Sequence, residues 1–156
     1  MSALKNKNAT TLLQQLASAF TAIPFNQMLG LKLEHLDSKN VIMSFNMKQD
    51  LIGNFLHGIL HGGVISSVLD MAGGMTVMAS AIEKHPQASP EELAMILGKC
   101  STIDLQISYL SPGKGELFNA KAWLVKSGST ISFARMELYN QDETLIATGN
   151  GTYLLK

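Results

Sequence analysis

Asp70 is the one formally charged residue in the 22-residue segment 61–82, HGGVISSVLDMAGGMTVMASAI. A carboxylate in so apolar a run is costly to bury unless it is paired or hydrogen-bonded. Burial also raises its pKa and makes it a stronger base. The same segment opens with His61-Gly62-Gly63. If it is a helix, its first N–H groups lack intrahelical partners and sit at the positive end of the dipole. Glycine there lets a carbonyl oxygen approach closely, which is what an oxyanion hole requires. A base or nucleophile and a carbonyl-polarising N–H are the parts of acyl transfer. The same residues also admit purely structural roles. Asp70 could accept hydrogen bonds from Ser66, Ser67 or a loop, and the glycine pair could serve a tight turn.

Helix geometry constrains the chemical reading. Gly62 and Asp70 are eight residues apart, hence about 12 Å along a helix and roughly 80° around it. One helix does not bring both to a single carbonyl. If both act on one substrate, Asp70 comes from one copy of the chain and Gly62 from another, in two equivalent sites at a twofold interface. Composition agrees with a covered surface: charged residues are 15% of the chain, against about 25% in an ordinary soluble domain.

Other chemistries fit less well. His57 and His61 have i, i+4 spacing, but Gly58 stands where a zinc-protease helix carries Glu, so no metal site is expected. The glycines form neither a G-x-G-x-x-G nor a Gly-Lys-Ser/Thr loop. Cys100 is the one cysteine, which excludes an internal disulfide, and it is read as a buried or half-buried thiol. Twelve basic and twelve acidic residues cancel, so neither nucleic acid nor an anionic membrane is expected as a partner.

The elements that must position Asp70 are legible in the pattern. Residues 9–23 form an amphipathic helix opened by a Thr11-x-x-Gln14 capping box and ended before Pro24. It is not an export signal, because Gln14 and Gln15 interrupt the apolar run, and a cytoplasmic location is expected. Residues 30–37 and 40–48 alternate as a hairpin around Asp37-Ser38-Lys39-Asn40, and 49–63 read as a loop. The segment 61–82 is a helix buried on nearly all sides rather than a membrane span, since glycines, serines and Asp70 interrupt it. Ser89, Pro90, Glu92 and Gly98 bracket a short helix over 90–97. Strands follow at 99–110, 116–127, 130–140 and 143–155, six in all. In the first of these four, Ile103, Leu105, Ile107 and Tyr109 share one face, and Thr102, Asp104, Gln106 and Ser108 the other. The division is an N-terminal helical segment, 1–23, and a single domain, 24–156.

This order resembles the PaaI-type thioesterases of the hotdog fold. The likeness rests on Asn54…His61-Gly62-Gly63-x6-Asp70, then Thr102-Ile103-Asp104-Leu105 and Tyr109-Leu110-Ser111-Pro112-Gly113, and covers about residues 24–155. The insertion at 83–98 and the Gly58-Ile59-Leu60 entry are most similar to the YigI-like acyl-CoA thioesterase branch. The resemblance implies an α+β fold: a long central helix wrapped by a six-stranded antiparallel sheet, here with an extra N-terminal helix and a short inserted helix. It implies homodimers that assemble to homotetramers, with active sites across the dimer interface.

Carried over by position, Asp70 matches the catalytic carboxylate, a general base or a nucleophile. Gly62 matches the residue whose N–H polarises the thioester carbonyl, and His61 is the motif histidine beside it. Asn54 matches a loop Asn that places the thioester or water, and Thr102 a Ser/Thr that positions the water. Asp and Thr come from one subunit, Asn and Gly from the other. Gly63, Ser66 and Met71 are expected beside the substrate; Met71, Met75 and Met78 suit a flexible-chain pocket or ordinary core filling. Two departures stand out: Asn54 lies seven residues before His61, one more than in several members, and Ser129 stands where many members carry Lys or Arg for the coenzyme A phosphates. Lys126, Lys99 or Arg135 could substitute.

The expected function is hydrolysis of acyl-CoA thioesters, medium or long chains favoured, with no metal and no cofactor beyond the coenzyme A of the substrate. The competing expectations are a non-catalytic acyl-CoA sensor and a hotdog hydratase or dehydratase using His57 or His61.

Overall fold

The computed structural model describes residues 2–155 of the chain. The apolar run carrying Asp70 forms helix α3 (Gly62–Lys84). Its length and composition would suffice to cross a bilayer, but it lies against a sheet, with Val68, Leu69, Ala72 and Val77 fully buried. The sheet has six antiparallel strands: β1 (Lys32–Leu36), β2 (Asn40–Asn46), β5 (Cys100–Tyr109), β6 (Leu117–Ser127), β7 (Ile131–Asn140) and β8 (Leu145–Leu155). Their spatial order is β1-β2-β6-β7-β8-β5, so β1 and β5 are the edges. This is the hotdog arrangement, with the long helix packed on an antiparallel sheet.

The β1–β2 turn closes as its composition requires. The Asp37 Oδ1 accepts N–H bonds from Lys39 at 2.8 Å and Asn40 at 2.7 Å, the use that favours Asp at the start of a turn. Val41, Met43 and Phe45 then fall on the buried face of β2. Phe45 stacks on Phe118 of β6 with ring centroids 5.2 Å apart.

Four expectations need correction. First, α1 runs over Ser2–Ala22, so Thr11 lies inside the helix and the Thr11/Gln14 pair does not open it. What orders this helix is tertiary packing: Leu12, Leu16 and Phe20 recur every four residues and are all buried. Pro24 does end α1, and it opens a second short helix, α2 (Pro24–Leu29), as its first residue. Second, 49–63 is not all loop. A 3-10 turn (Gln49–Leu51) leads into a two-stranded pair, β3 (Ile52–Asn54) and β4 (Ile59–Leu60). Strands of two and three residues leave no period in the sequence, and Gly58 at φ 59° permits the tight return. Eight strands are therefore formed among the described residues, not six.

The third correction concerns β5. Its pairing with β8 shifts register between Thr102 and Asp104. Ile103 is the extra residue of a bulge, and it is 54% exposed rather than packed beside Leu105. The slip turns Thr102 onto the helix side, the face that Leu105 and Ile107 also occupy. Strict alternation had put Thr102 on the opposite face. The fourth correction, the partner of Asp70, is described with the site. The inserted helix α4 (Pro90–Leu97) forms as expected, with a reciprocal Ser89–Glu92 capping box.

Tyr153 of β8 locks α3 to the sheet. It is 1% exposed and lies over Gly73, where a Cβ would meet its ring Cζ at 2.8 Å and the Met136 Sδ at 3.0 Å. Gly73→Ala is therefore expected to destabilise the protein despite alanine's better helix propensity. Overpacking at about 1–3 kcal/mol exceeds that gain. Thermal denaturation should show a Tm roughly 3–8 °C lower; an unchanged or higher Tm would contradict the close fit.

Candidate active site

Asp70 occupies the third turn of α3 and is half-buried. Neither Ser66 nor Ser67 bonds it, contrary to one expectation. Both hydroxyls turn back to their own helix, Ser66 Oγ to the Gly62 carbonyl at 3.0 Å and Ser67 Oγ to the Gly63 carbonyl at 2.8 Å. These i−4 carbonyls are the nearest acceptors for a helical serine. The partner is Thr102, whose hydroxyl donates to the Asp70 Oδ1 at 2.9 Å. Below, the Tyr153 hydroxyl donates to the Asp70 main-chain carbonyl at 3.1 Å. Burial first, and the Asp70 charge second, push the Tyr153 phenol pKa up, so it stays a donor.

The Asp70–Thr102 pair lines a largely apolar cavity of about 520 Å³, within the usual size range of small-molecule sites. Three helices wall it: α1 through Leu16 and Phe20, α3 through Met71, Gly74 and Met78, and α4 through Leu93 and Leu97. Cys100 also lines it. Burial and then the nearby Asp70 charge push that thiol up to about 11, so at neutral pH it is protonated and not a nucleophile.

The helix entry is built separately. His61 is the N-cap of α3, and its Nδ1 accepts the Gly63 N–H at 2.9 Å. That fixes the unprotonated nitrogen of the ring at Nδ1 and engages Gly63. The Gly62 N–H, by contrast, meets no acceptor within the chain among the described residues. Tyr109 holds this turn: its hydroxyl donates to the Gly62 carbonyl at 3.2 Å and touches the Ser66 hydroxyl. Strand β5 thus runs alongside α3 in the opposite sense, with Tyr109 at the Gly62 end and Thr102 at the Asp70 end.

The expected residues separate accordingly. Asp70, Thr102 and Met71 come together at the cavity. Gly62, Gly63, His61 and Ser66 cluster two turns away, at the start of the helix. Asn54 ends β3, where its Oδ1 accepts the Leu56 N–H at 3.1 Å and its carbonyl accepts from Gly58 at 2.9 Å. His57 lies in the same turn, before α3 begins, so the helical His pair does not form. Among the described residues no three His, Cys, Asp or Glu side chains cluster to hold a metal. Lys126 and Ser129 lie at and beyond the end of β6 and do not line the cavity. The cation that meets the turn there is Lys84, whose Nζ donates to the Ser127 carbonyl at 3.1 Å and the Gly128 carbonyl at 2.9 Å. Arg135, on β7, is exposed opposite Trp123.

Four contributors were not anticipated. Tyr109 and Tyr153 hold the two turns of α3 that matter, and α1 and α4 wall the cavity. The four-residue recurrence of Leu12, Leu16 and Phe20 marked an apolar face on α1, but nothing local marked what that face would enclose.

The fold and this site define an α+β hotdog domain with one carboxylate in the lining of an apolar cavity. Known proteins share the fold. The Thioesterase superfamily model matches residues 57–147. The medium/long-chain acyl-CoA thioesterase YigI of Salmonella typhimurium is 40% identical over 85% of this chain and 86% of its own. The protein of that name from Escherichia coli K12 is 38% identical over the same shares. A crystal structure of a Shewanella oneidensis protein related to the thioesterase superfamily superposes with a TM-score of 0.91 at 38% identity, covering 95% of this chain and 97% of the other. Zebra fish thioesterase superfamily member 2 superposes at 0.71 with 25% identity, over 91% and 94%. The chain belongs to the thioesterase superfamily.

Proposed function

We propose that this protein hydrolyses acyl-CoA thioesters, medium or long acyl chains preferred, in a site shared between two copies of the chain. The observation that carries the proposal is the bonded Asp70–Thr102 pair in the lining of an apolar cavity. An acyl chain in that cavity would leave its thioester carbonyl at the carboxylate. Thr102 bonds Oδ1 and so leaves Oδ2 to take a proton from water as the water adds to the carbonyl carbon. The tetrahedral oxyanion would be held by the Gly62 N–H of a second copy. Its collapse breaks the C–S bond, and the coenzyme A thiolate leaves and takes up a proton. Direct attack by Asp70, giving an anhydride that water then opens, uses the same groups. Asn54 of the second copy would steady the thioester or water through its amide N–H.

Edge geometry supports the shared site. β5 is a ten-residue edge with no strand on its outer side among the described residues, a template for pairing with its own copy. An antiparallel pair centred between Leu105 and Gln106 sets Thr102 of one copy opposite Tyr109 of the other. Because Thr102 holds Asp70 and Tyr109 holds Gly62, that pairing brings one copy's carboxylate toward the other's free N–H. Such dimers would pair into tetramers and act in the cytoplasm, without a metal or further cofactor.

The relatives' substrates and the cavity's apolar walls support medium or long chains. The test is thiol release from acyl-CoAs of C2 to C18, with phenylacetyl- and benzoyl-CoA alongside. Turnover rising to a maximum at medium or long chains is expected. A sharp preference for phenylacetyl- or benzoyl-CoA would contradict the acyl assignment, and saturable binding without turnover would make the protein a sensor.

A further inference from the structure

Gly73 and Gly74 are adjacent in α3, yet only one is required by the protein's own packing. At Gly73 a Cβ would collide with Tyr153. At Gly74 the nearest atoms to a Cβ are ring carbons of Tyr153 at 3.6 and 3.9 Å, ordinary van der Waals contact. The backbone is no reason either, since Gly74 is helical and its φ is not positive. Glycine is the poorest helix former after proline, so an unforced glycine in the middle of a core helix calls for another cause. Gly74 lines the cavity, one turn beyond Asp70 on the same face.

We infer that Gly74 is a specificity-determining residue: its missing side chain is the opening through which the substrate's alkyl chain passes from Asp70 into the cavity. The inference rests on the acyl-CoA reading above and adds what sets the chain length. Along α3 the lining runs from Asp70 through Gly74 to Met78, eight residues and about 12 Å. A zigzag chain advances about 1.2 Å per bond, taking a third of the extended backbone's rise per residue. The channel therefore holds about ten bonds of alkyl chain past the carbonyl. Met78 at its far end has a flexible side chain that adapts to such a guest. A side chain at 74 would close the channel after its first turn.

The test uses the whole chain with Gly74→Ala and Gly74→Leu. The ratio of kcat/KM for dodecanoyl-CoA to that for butyryl-CoA should fall by about tenfold or more in Gly74→Leu, and by less in Gly74→Ala. Thermal stabilisation by free dodecanoate should be present in wild type and lost in Gly74→Leu, which reads the channel without catalysis. Should Gly74→Leu fail to fold, Gly74→Ala decides the matter, since its Cβ has room; its Tm should rise and its chain-length ratio should still fall. An unchanged ratio with unchanged dodecanoate stabilisation overturns the inference. So does an unchanged ratio with a changed elution volume, which would assign Gly74 to a subunit contact. If wild type hydrolyses no acyl-CoA but dodecanoate stabilises it and not Gly74→Leu, the proposed reaction falls and the channel stands.

Discussion

Asp70→Asn should lose about 10³- to 10⁴-fold in kcat on every acyl-CoA that wild type hydrolyses, with the fold intact. The size of the effect follows from the position. Asp70 is the carboxylate that lines the cavity, and Thr102 is bonded to one of its oxygens at 2.9 Å. Asparagine keeps the shape and can accept the same Thr102 bond, but it neither takes a proton from water nor attacks a thioester. The main-chain bond from Tyr153 is untouched by the substitution. Circular dichroism and Tm should therefore match wild type. An independent sign is available at Cys100. The Asp70 charge contributes to raising that thiol's pKa to about 11. Removing the charge lowers it, so iodoacetamide should label Cys100 faster in Asp70→Asn at a fixed pH. Residual activity above a tenth of wild type would remove Asp70 from the chemistry.

Gly62→Pro should cost about 10²–10³-fold in kcat with little change in KM. Proline is the one substitution that deletes a backbone N–H, and here it can do so with small collateral damage. Gly62 is the first residue of α3, the position where proline is favoured. His61 before it is extended, with φ −65° and ψ 135°, as a residue preceding proline must be. The nearest atoms to a Cβ at 62 belong to the Tyr109 side chain, at 3.5 Å and beyond, ordinary van der Waals contact. The helix, its His61 cap and the Gly63 bond should all survive, and a Tm within a few degrees of wild type checks that. A Gly62→Pro protein with wild-type kcat would show that the Gly62 N–H stabilises no oxyanion.

The fold was largely legible because its signals are local. The Asp37-to-Asn40 turn, the Ser89–Glu92 capping box and the long alternating strands each declare themselves within a dozen residues. The apolar run of α3 was legible for the same reason, and Asp70 stood out within it. The short pair β3–β4 was missed because two and three residues carry no period. The face of Thr102 was missed because a bulge is one extra residue that alternation does not foresee; only the likeness to known thioesterases pointed to Thr102. The start of α1 was misplaced because a plausible cap at Thr11 competes with a helix whose order comes from docking Leu12, Leu16 and Phe20 onto the core. Of the cavity only the methionine face of α3 was legible, Met71, Met75 and Met78 all lining it. The cavity is enclosed by residues from α1, α3, α4, β5 and β8, as far apart in the chain as Leu12 and Tyr153, and no local pattern records their meeting.

The central claim is that Asp70 of one copy and Gly62 of another serve the same thioester. Coexpression of Asp70→Asn and Gly62→Pro chains carrying different tags gives heterodimers that can be purified away from both homodimers. In a shared arrangement one of the two sites in each heterodimer has both defects, and the other has neither. The expected result is about half of wild-type turnover from the heterodimer, and almost none from either homodimer. A heterodimer as inactive as its parents would place both groups of each site in a single chain and contradict the account.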